Sequence, residues 1–249
     1  MSTVTDSSTR EPRLLDRTVV VIGGSSGIGL ETARFARAEG AGVVLTGRDP
    51  ERLGRAATNV DAQSHAAFDA HDADRLAAFF RSLPAPVDHV VVTAGGPFYA
   101  PLAKMDVAGA RRYVADHVGL MLGVARHATE MVRPGGSLLF TSGTGARRPA
   151  VGTSVLALLT AGLPALAANL ALELAPVRVN VIAAGFVDTP LSALLLGDAL
   201  DERRAQLRAT LPIRRVVGPE DVAALAVHLM TNTALTGATY DVDGGQQLT

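Results

Sequence analysis

Short apolar runs alternate with longer mixed segments along the whole chain. Seven runs read as strand candidates: RTVVVI (17–22), GVVLT (42–46), SHAAF (64–68), DHVVVTA (88–94), SLLFTS (137–142), VRVNVIA (177–183) and ATYDVD (238–243). Between them lie segments with helical spacing of apolar positions, for example GLETARFARAEG, which closes on Gly40 as a helix C-terminus often does. Strands this apolar, separated by helices, predict a mostly parallel sheet covered on both faces. No repeat or low-complexity linker divides the pattern, so it predicts one α/β domain over residues 15–249 behind a flexible polar tail over 1–14.

One segment breaks the amphipathic rule. SVLALLTAGLPALAANLALEL (154–174) carries a single charge, Glu173, and Val155 to Leu172 has none, which is the lower limit of length for crossing a bilayer. Gly162 and Pro164 interrupt the run, and a strand candidate follows Pro176 at once. That is the spacing of a crossover helix, so burial between the sheet and a partner subunit is expected rather than a membrane span.

Composition narrows the function classes. The 249 residues include 23 basic and 24 acidic side chains, which leaves no electrostatic footprint for nucleic acid or for an anionic membrane surface. A small-molecule substrate and other protein subunits are the expected partners. Zero cysteines exclude disulfides and thiolate metal sites, no metal site is predicted, and the polar start MSTVTDSSTREPR lacks the apolar core of a signal peptide; a cytoplasmic protein is expected. Lys104 is the only lysine, so no other lysine is available for chemistry.

The stretch VVVIGGSSGIGLETA runs from strand to glycine-rich turn to helix start. Gly23, Gly27 and Gly29 permit a tight turn and a close approach of backbone to a pyrophosphate, whose charge is met by free N–H groups at the helix N-terminus. The flanking strand and helix are the context that gives such a motif its meaning.

With that loop in place, the chain resembles the short-chain dehydrogenase/reductase family from Arg17 to the C-terminus. The resemblance is carried by GGSSGIG (23–29), TAGG (93–96), FTSGTG (140–145), LALELAP (170–176), VRVNVIAAGFVDTP (177–190) and DVDGG (241–245). It implies a Rossmann-like, doubly wound parallel sheet of about seven strands, assembly as a dimer or tetramer, and binding of NAD or NADP. Gly23, Ser25, Ser26, Gly27, Ile28 and Gly29 would form the cofactor loop. Asp69 would meet the adenine, Ala94 and Gly95 would pack under the cofactor, and Thr189 would hold its nicotinamide or phosphate side; Asp69 and Thr189 are equally suited to capping turns or helices. Arg48 stands where NAD-preferring relatives tend to carry an acid, and a guanidinium grips a ribose 2′-phosphate, so NADP(H) is favoured, with Asp49 beside it pulling the other way.

The family reduces or oxidises a carbonyl–alcohol pair with an Asn-Ser-Tyr-Lys set. Ser142 matches the serine and His117 stands at the asparagine position. Counting back from LALELAP puts Leu156 and Thr160 at the tyrosine and lysine positions, whereas counting forward from Ser142 puts Val155 and Leu159 there. Either register removes both groups. His117 is the substitute acid, because an imidazole titrates near neutrality, or it fills the slot only for hydrogen bonding. Tyr99 and Tyr113 are further candidates or packing residues; Arg147 and Arg148 are anion ligands or solvated loop arginines. The segment 187–222 resembles the family's substrate lid. Three functions remain open: an atypical NADP(H)-dependent oxidoreductase, a cofactor-binding protein without redox turnover, and a non-redox isomerase, dehydratase or cyclase on the same scaffold.

Overall fold

The computed structural model describes residues 11–84 and 86–249. All seven expected strands form: β1 (Thr18–Ile22), β2 (Gly42–Gly47), β3 (Ser64–Ala67), β4 (Val87–Val92), β5 (Val132–Gly143), β6 (Arg178–Ala184) and β7 (Thr239–Val242). They pair in parallel in the order β3-β2-β1-β4-β5-β6-β7. β5 begins earlier than its apolar run, because Val132 pairs with Val87 before the register shifts to Ser137 opposite His89.

Among the described residues, eight α-helices accompany them: α1 (Gly27–Ala38), α2 (Pro50–Asn59), α3 (Ala73–Ser82), α4 (Val107–Met131), α5 (Ser154–Glu173), α6 (Pro190–Leu196), α7 (Leu200–Thr210) and α8 (Pro219–Thr231). Local chemistry sets their starts. Asp49, Asp72 and Asp106 accept hydrogen bonds from backbone N–H groups in the first turns of α2, α3 and α4, satisfying donors that have no partner inside the helix. Buried Arg178 covers the other end of α8, donating to the carbonyls of Leu229 and Met230 at 2.6 and 2.7 Å.

Alternation along the strands divides the core in two. Val20, Ile22, Val90, Val92, Leu138 and Phe140 face α3, α4 and α5, while Val19, Val21, Val91, Leu139 and Ile182 face α1, α2 and α8. At roughly 1.5–3 kcal/mol for each fully buried aliphatic side chain, these two layers are the main stabilising contribution. Their shared strands make them one cooperative unit.

Two expectations meet the structure at their edges. Residues 1–10 of the expected tail lie outside the described residues, but the tail does not run to residue 14: Arg13 pairs with Glu39 at 2.8 Å and Leu14 is 1% exposed within the α1–α8 core layer. An apolar side chain this close to β1 lowers its free energy by inserting. The apolar segment forms α5, which alone among the described helices is long and apolar enough to cross a membrane. It instead links adjacent strands β5 and β6, with Leu163, Ala167 and Leu170 buried on the sheet, and its outer face presents Leu158 and Leu172 at 63% and 80% exposure.

The strand order fixes where a site can form. From β1 the chain winds outward to β3, then crosses back to β4 on β1's other side. The loops after β1 and β4 therefore part in opposite directions and leave a crevice at the C-terminal ends of the strands.

Candidate active site

The glycine loop lies in that crevice. Gly23 has φ +99° and Gly27 φ +54°, conformations that side chains rarely adopt. A Cβ on Gly23 would stand 2.6 Å from Ala94 N, and one on Gly29 would collide with the Gly23 carbonyl and approach Thr93 Oγ1 to 2.5 Å. Thr93 ties the two loops together, its hydroxyl donating to Gly23 O at 3.0 Å while Ala94 N donates to Ile22 O at 2.9 Å. Ser25 packs at the end of β2 beside Gly47, and Ile28 packs on the α1–α8 core layer.

Ser26 occupies the position before α1 but makes no side-chain cap, and no acidic residue lies in the first turn. The leading N–H groups of a twelve-residue helix are thus left without a side-chain partner at the positive end of its dipole. Donors held this way, over glycines that no side chain could replace, fit a pyrophosphate.

At the adenosine end of such a ligand, Arg48 follows β2 and is exposed. Asp49 is committed elsewhere, accepting from Arg52 N at 3.0 Å as the cap of α2. Asp69 accepts from the His71 N–H at 3.1 Å and lies 3.0 Å from His71 Nδ1. Partial burial works against its ionisation, but the His71 contacts and the nearby Arg48 charge outweigh it and hold the carboxyl below its usual range.

The reaction end is assembled around β4. Thr141 donates to Val92 O at 3.0 Å, which sets the end of β5 beside β4 and leaves Ser142, the next residue, half-buried at the strand's tip. His117, on α4, packs on Gly95: a Cβ there would lie 3.5 Å from His117 Cε1 and Nδ1. Its ring stacks on Tyr113 with centroids 5.8 Å apart, and the Tyr113 hydroxyl donates to Gly96 O at 2.5 Å. Burial, with the His71 charge second, lowers the His117 pKa, so the imidazole is neutral at pH 7. Its Nδ1 is buried and has no hydrogen-bond partner among the described residues. A buried polar atom in that state costs free energy until a ligand group or water satisfies it.

The two registers left open along α5 are separated by packing. Leu156 and Thr160 are the pair that faces the end of β5: a Cβ on Gly145 would meet Leu156 Cδ2 at 3.1 Å and Thr160 Oγ1 at 3.8 Å. Thr160 is buried, and its hydroxyl is turned back on the helix, donating to Leu156 O at 2.9 Å. Arg147 and Arg148 are engaged too: Arg147 grips Asp241 through two 2.5 Å bonds and Arg148 donates to Gln246 O at 2.7 Å. Thr189 caps α6, accepting from Ser192 N at 3.3 Å, and its methyl stands 3.4 Å from where a Gly27 side chain would begin. Among the described residues, no group of three metal-ligating side chains comes together.

Residues 22–247 match the family model described as Enoyl-(Acyl carrier protein) reductase. The chain is 30% identical to the short-chain dehydrogenase/reductase ATR9 of Stachybotrys chlorohalonatus, over 94% of its own length and 98% of that protein's. The chain belongs to the short-chain dehydrogenase/reductase family. Among solved family structures, the MalC reductase/Diels-Alderase of Malbranchea aurantiaca superposes with a TM-score of 0.89 at 26% identity, covering 96% of this chain and 99% of that one. A small-chain dehydrogenase in complex with NADPH gives 0.80 at 28% identity, covering 94% and 100%.

In this short-chain dehydrogenase/reductase, sequence reasoning named Tyr113 and Asp69 but not the contacts that hold them. Tyr113 as a clamp on the loop after β4, the Asp69–His71 pair, and Gln246, whose side chain accepts from Phe186 N at 2.8 Å, carry no motif. Gln246 is 60 residues from Phe186, so no local signal marks it.

Proposed function

We propose that the protein is an atypical NADP(H)-dependent oxidoreductase acting on a carbonyl–alcohol pair. The observation that carries this reading is the pairing of an intact glycine cradle with the orphaned His117 Nδ1 against Gly95, on the loop after β4. Gly23, Ser25, Ser26, Gly27, Ile28 and Gly29 would hold the pyrophosphate, Asp69 the adenine, Arg48 the ribose 2′-phosphate, Ala94 and Gly95 the cofactor's underside, and Thr189 its nicotinamide side. Arg48 favours NADP over NAD because it is exposed while Asp49, the one acid beside it, serves its helix. The bound nicotinamide would supply hydride transfer. Ser142 hydrogen-bonds the substrate oxygen, and His117 exchanges the proton that the family's tyrosine otherwise handles. A placed acid of this kind supplies about a hundred- to ten-thousand-fold in rate.

NADPH fluorescence titration, followed by NADPH oxidation over a panel of ketones, tests the reading. Binding in the micromolar range and turnover that falls at least tenfold in both Ser142→Ala and His117→Ala are expected. Failure to bind NADPH at millimolar concentration overturns it.

A second reading, a non-redox reaction or cofactor binding without turnover, is favoured by one observation. Leu156 and Thr160 offer no proton donor toward the end of β5. The Malbranchea protein, named for both a reduction and a Diels-Alder reaction, supports it. NADPH binding without oxidation across the panel selects it. The protein acts in the cytoplasm as a dimer or tetramer in either case, with the exposed apolar face of α5 against a second copy.

A further inference from the structure

Resting on the oxidoreductase reading, we propose that the substrate is a neutral, apolar carbonyl compound or alcohol, and that the site discriminates against anionic ones. β4, β5 and β6 are neighbours in the sheet, so the segments that follow them line one continuous edge. The first two are stitched together by Ala100 N donating to Gly152 O at 3.0 Å. They present Leu102 at 80% and Val151 at 90% exposure. The third passes Thr189, against the glycine loop, and carries Leu191 and Leu194 on α6, both exposed. Leu156 enters the same edge from the start of α5 and packs on Gly145. Single exposed leucines are ordinary on a protein surface. Apolar side chains contributed by three adjacent loops, beside a cofactor cradle, form a wall against which an apolar molecule loses water.

Charge points the same way. Four arginines of the β5 and β6 segments are already engaged. Arg147 is bound bidentately by Asp241, Arg148 by Gln246 O, and Arg204 by Asp188 at 2.8 Å and Asp201 at 2.9 Å. Arg203 lies over the Phe186 ring and donates to Gln206. A carboxylate or phosphate entering here would lose hydration and would have to compete with these partners for the guanidinium groups, which disfavours it relative to a neutral ligand. A neutral ligand loses nothing of the kind.

The test compares 4-tert-butylcyclohexanone with 4-oxocyclohexanecarboxylate, which share ring and carbonyl and differ in charge. Calorimetric titration of each into the NADPH-loaded full chain reads binding, and NADPH absorbance reads turnover. The neutral ketone is expected to bind at least about tenfold more tightly, and Val151→Asp and Leu194→Asp to weaken it by a similar factor with NADPH affinity unchanged. Both substitutions are at exposed positions and leave the fold intact, which a thermal melt verifies. Equal or tighter binding of the carboxylate, no binding of either compound, or indifference to both substitutions overturns the proposal. Neutral-ketone binding without NADPH oxidation overturns the oxidoreductase reading and leaves the substrate class standing. Oxidation of NADPH with a preference for the carboxylate does the reverse.

Discussion

His89 sits inside β4 with Nδ1 2.8 Å from Ser137 Oγ, and burial pushes its pKa down to about 4. Asp88 pulls the other way, while Arg178 and Arg17 add to the depression. Unfolded, the same imidazole takes a proton near 6.5, so the unfolded state binds more protons between those two values. Stability is therefore complete above about pH 6.5 and is lost as pH falls toward 4, by about 3 kcal/mol in all from this residue. Thermal melts from pH 7 to 4 should show a shallower decline in His89→Gln than in the parent chain. His117 is also neutral at pH 7, for the same reason of burial. If it donates the proton in carbonyl reduction, the rate rises as pH drops below 6.5, and His117→Asn, the family's own residue there, flattens the profile. Gly29→Ala belongs to this scale as well: its Cβ would collide with Gly23 O, and NADPH affinity should fall by two orders of magnitude or more in a chain whose circular dichroism is unchanged.

Helix α5 meets the sheet along one face and the end of β5 at its first turns. Its inner face packs Leu163, Ala167 and Leu170 on the sheet, and the turn over Gly145 aims two side chains at the end of β5. Those two are Leu156 and Thr160. Restoring the family pair as Leu156→Tyr with Thr160→Lys should raise ketone reduction by about a hundredfold or more, provided the melt shows that the buried lysine is tolerated. No gain would mean that the substrate oxygen does not lie where the family places it. On the outer face, Leu158→Glu with Leu172→Glu should shift the protein to a monomer in light scattering, since both leucines are exposed and would otherwise meet a partner.

At the scale of the whole molecule, most of the sheet was legible because its information is local. A strand such as Val87–Val92 declares itself by its three consecutive valines, Val90 to Val92, and the glycine loop by its place between β1 and α1. What escaped is what depends on distant partners. Leu14 reads as the end of a polar tail until the chain folds it against the α1–α8 layer, and Arg147 reads as a free cation until Asp241, 94 residues on, takes both its nitrogens. That Leu156 packs on Gly145 depends on the phase of a helix relative to a neighbouring loop, which counting cannot supply. Because the two core layers share β1, β4 and β5, Leu139→Ala should cost about 2–5 kcal/mol and lower a single cooperative unfolding transition rather than split it.

The cap on α2 carries a consequence for cofactor exchange. Asp49 holds the start of α2 through Oδ1 on Arg52 N, so a ribose hydroxyl that drew this oxygen away would loosen the helix beside it. Cofactor choice and the anchoring of α2 thus compete for one side chain. If Arg48 holds the 2′-phosphate as proposed, Arg48→Asp should shift preference toward NADH while Asp49 keeps its place on α2.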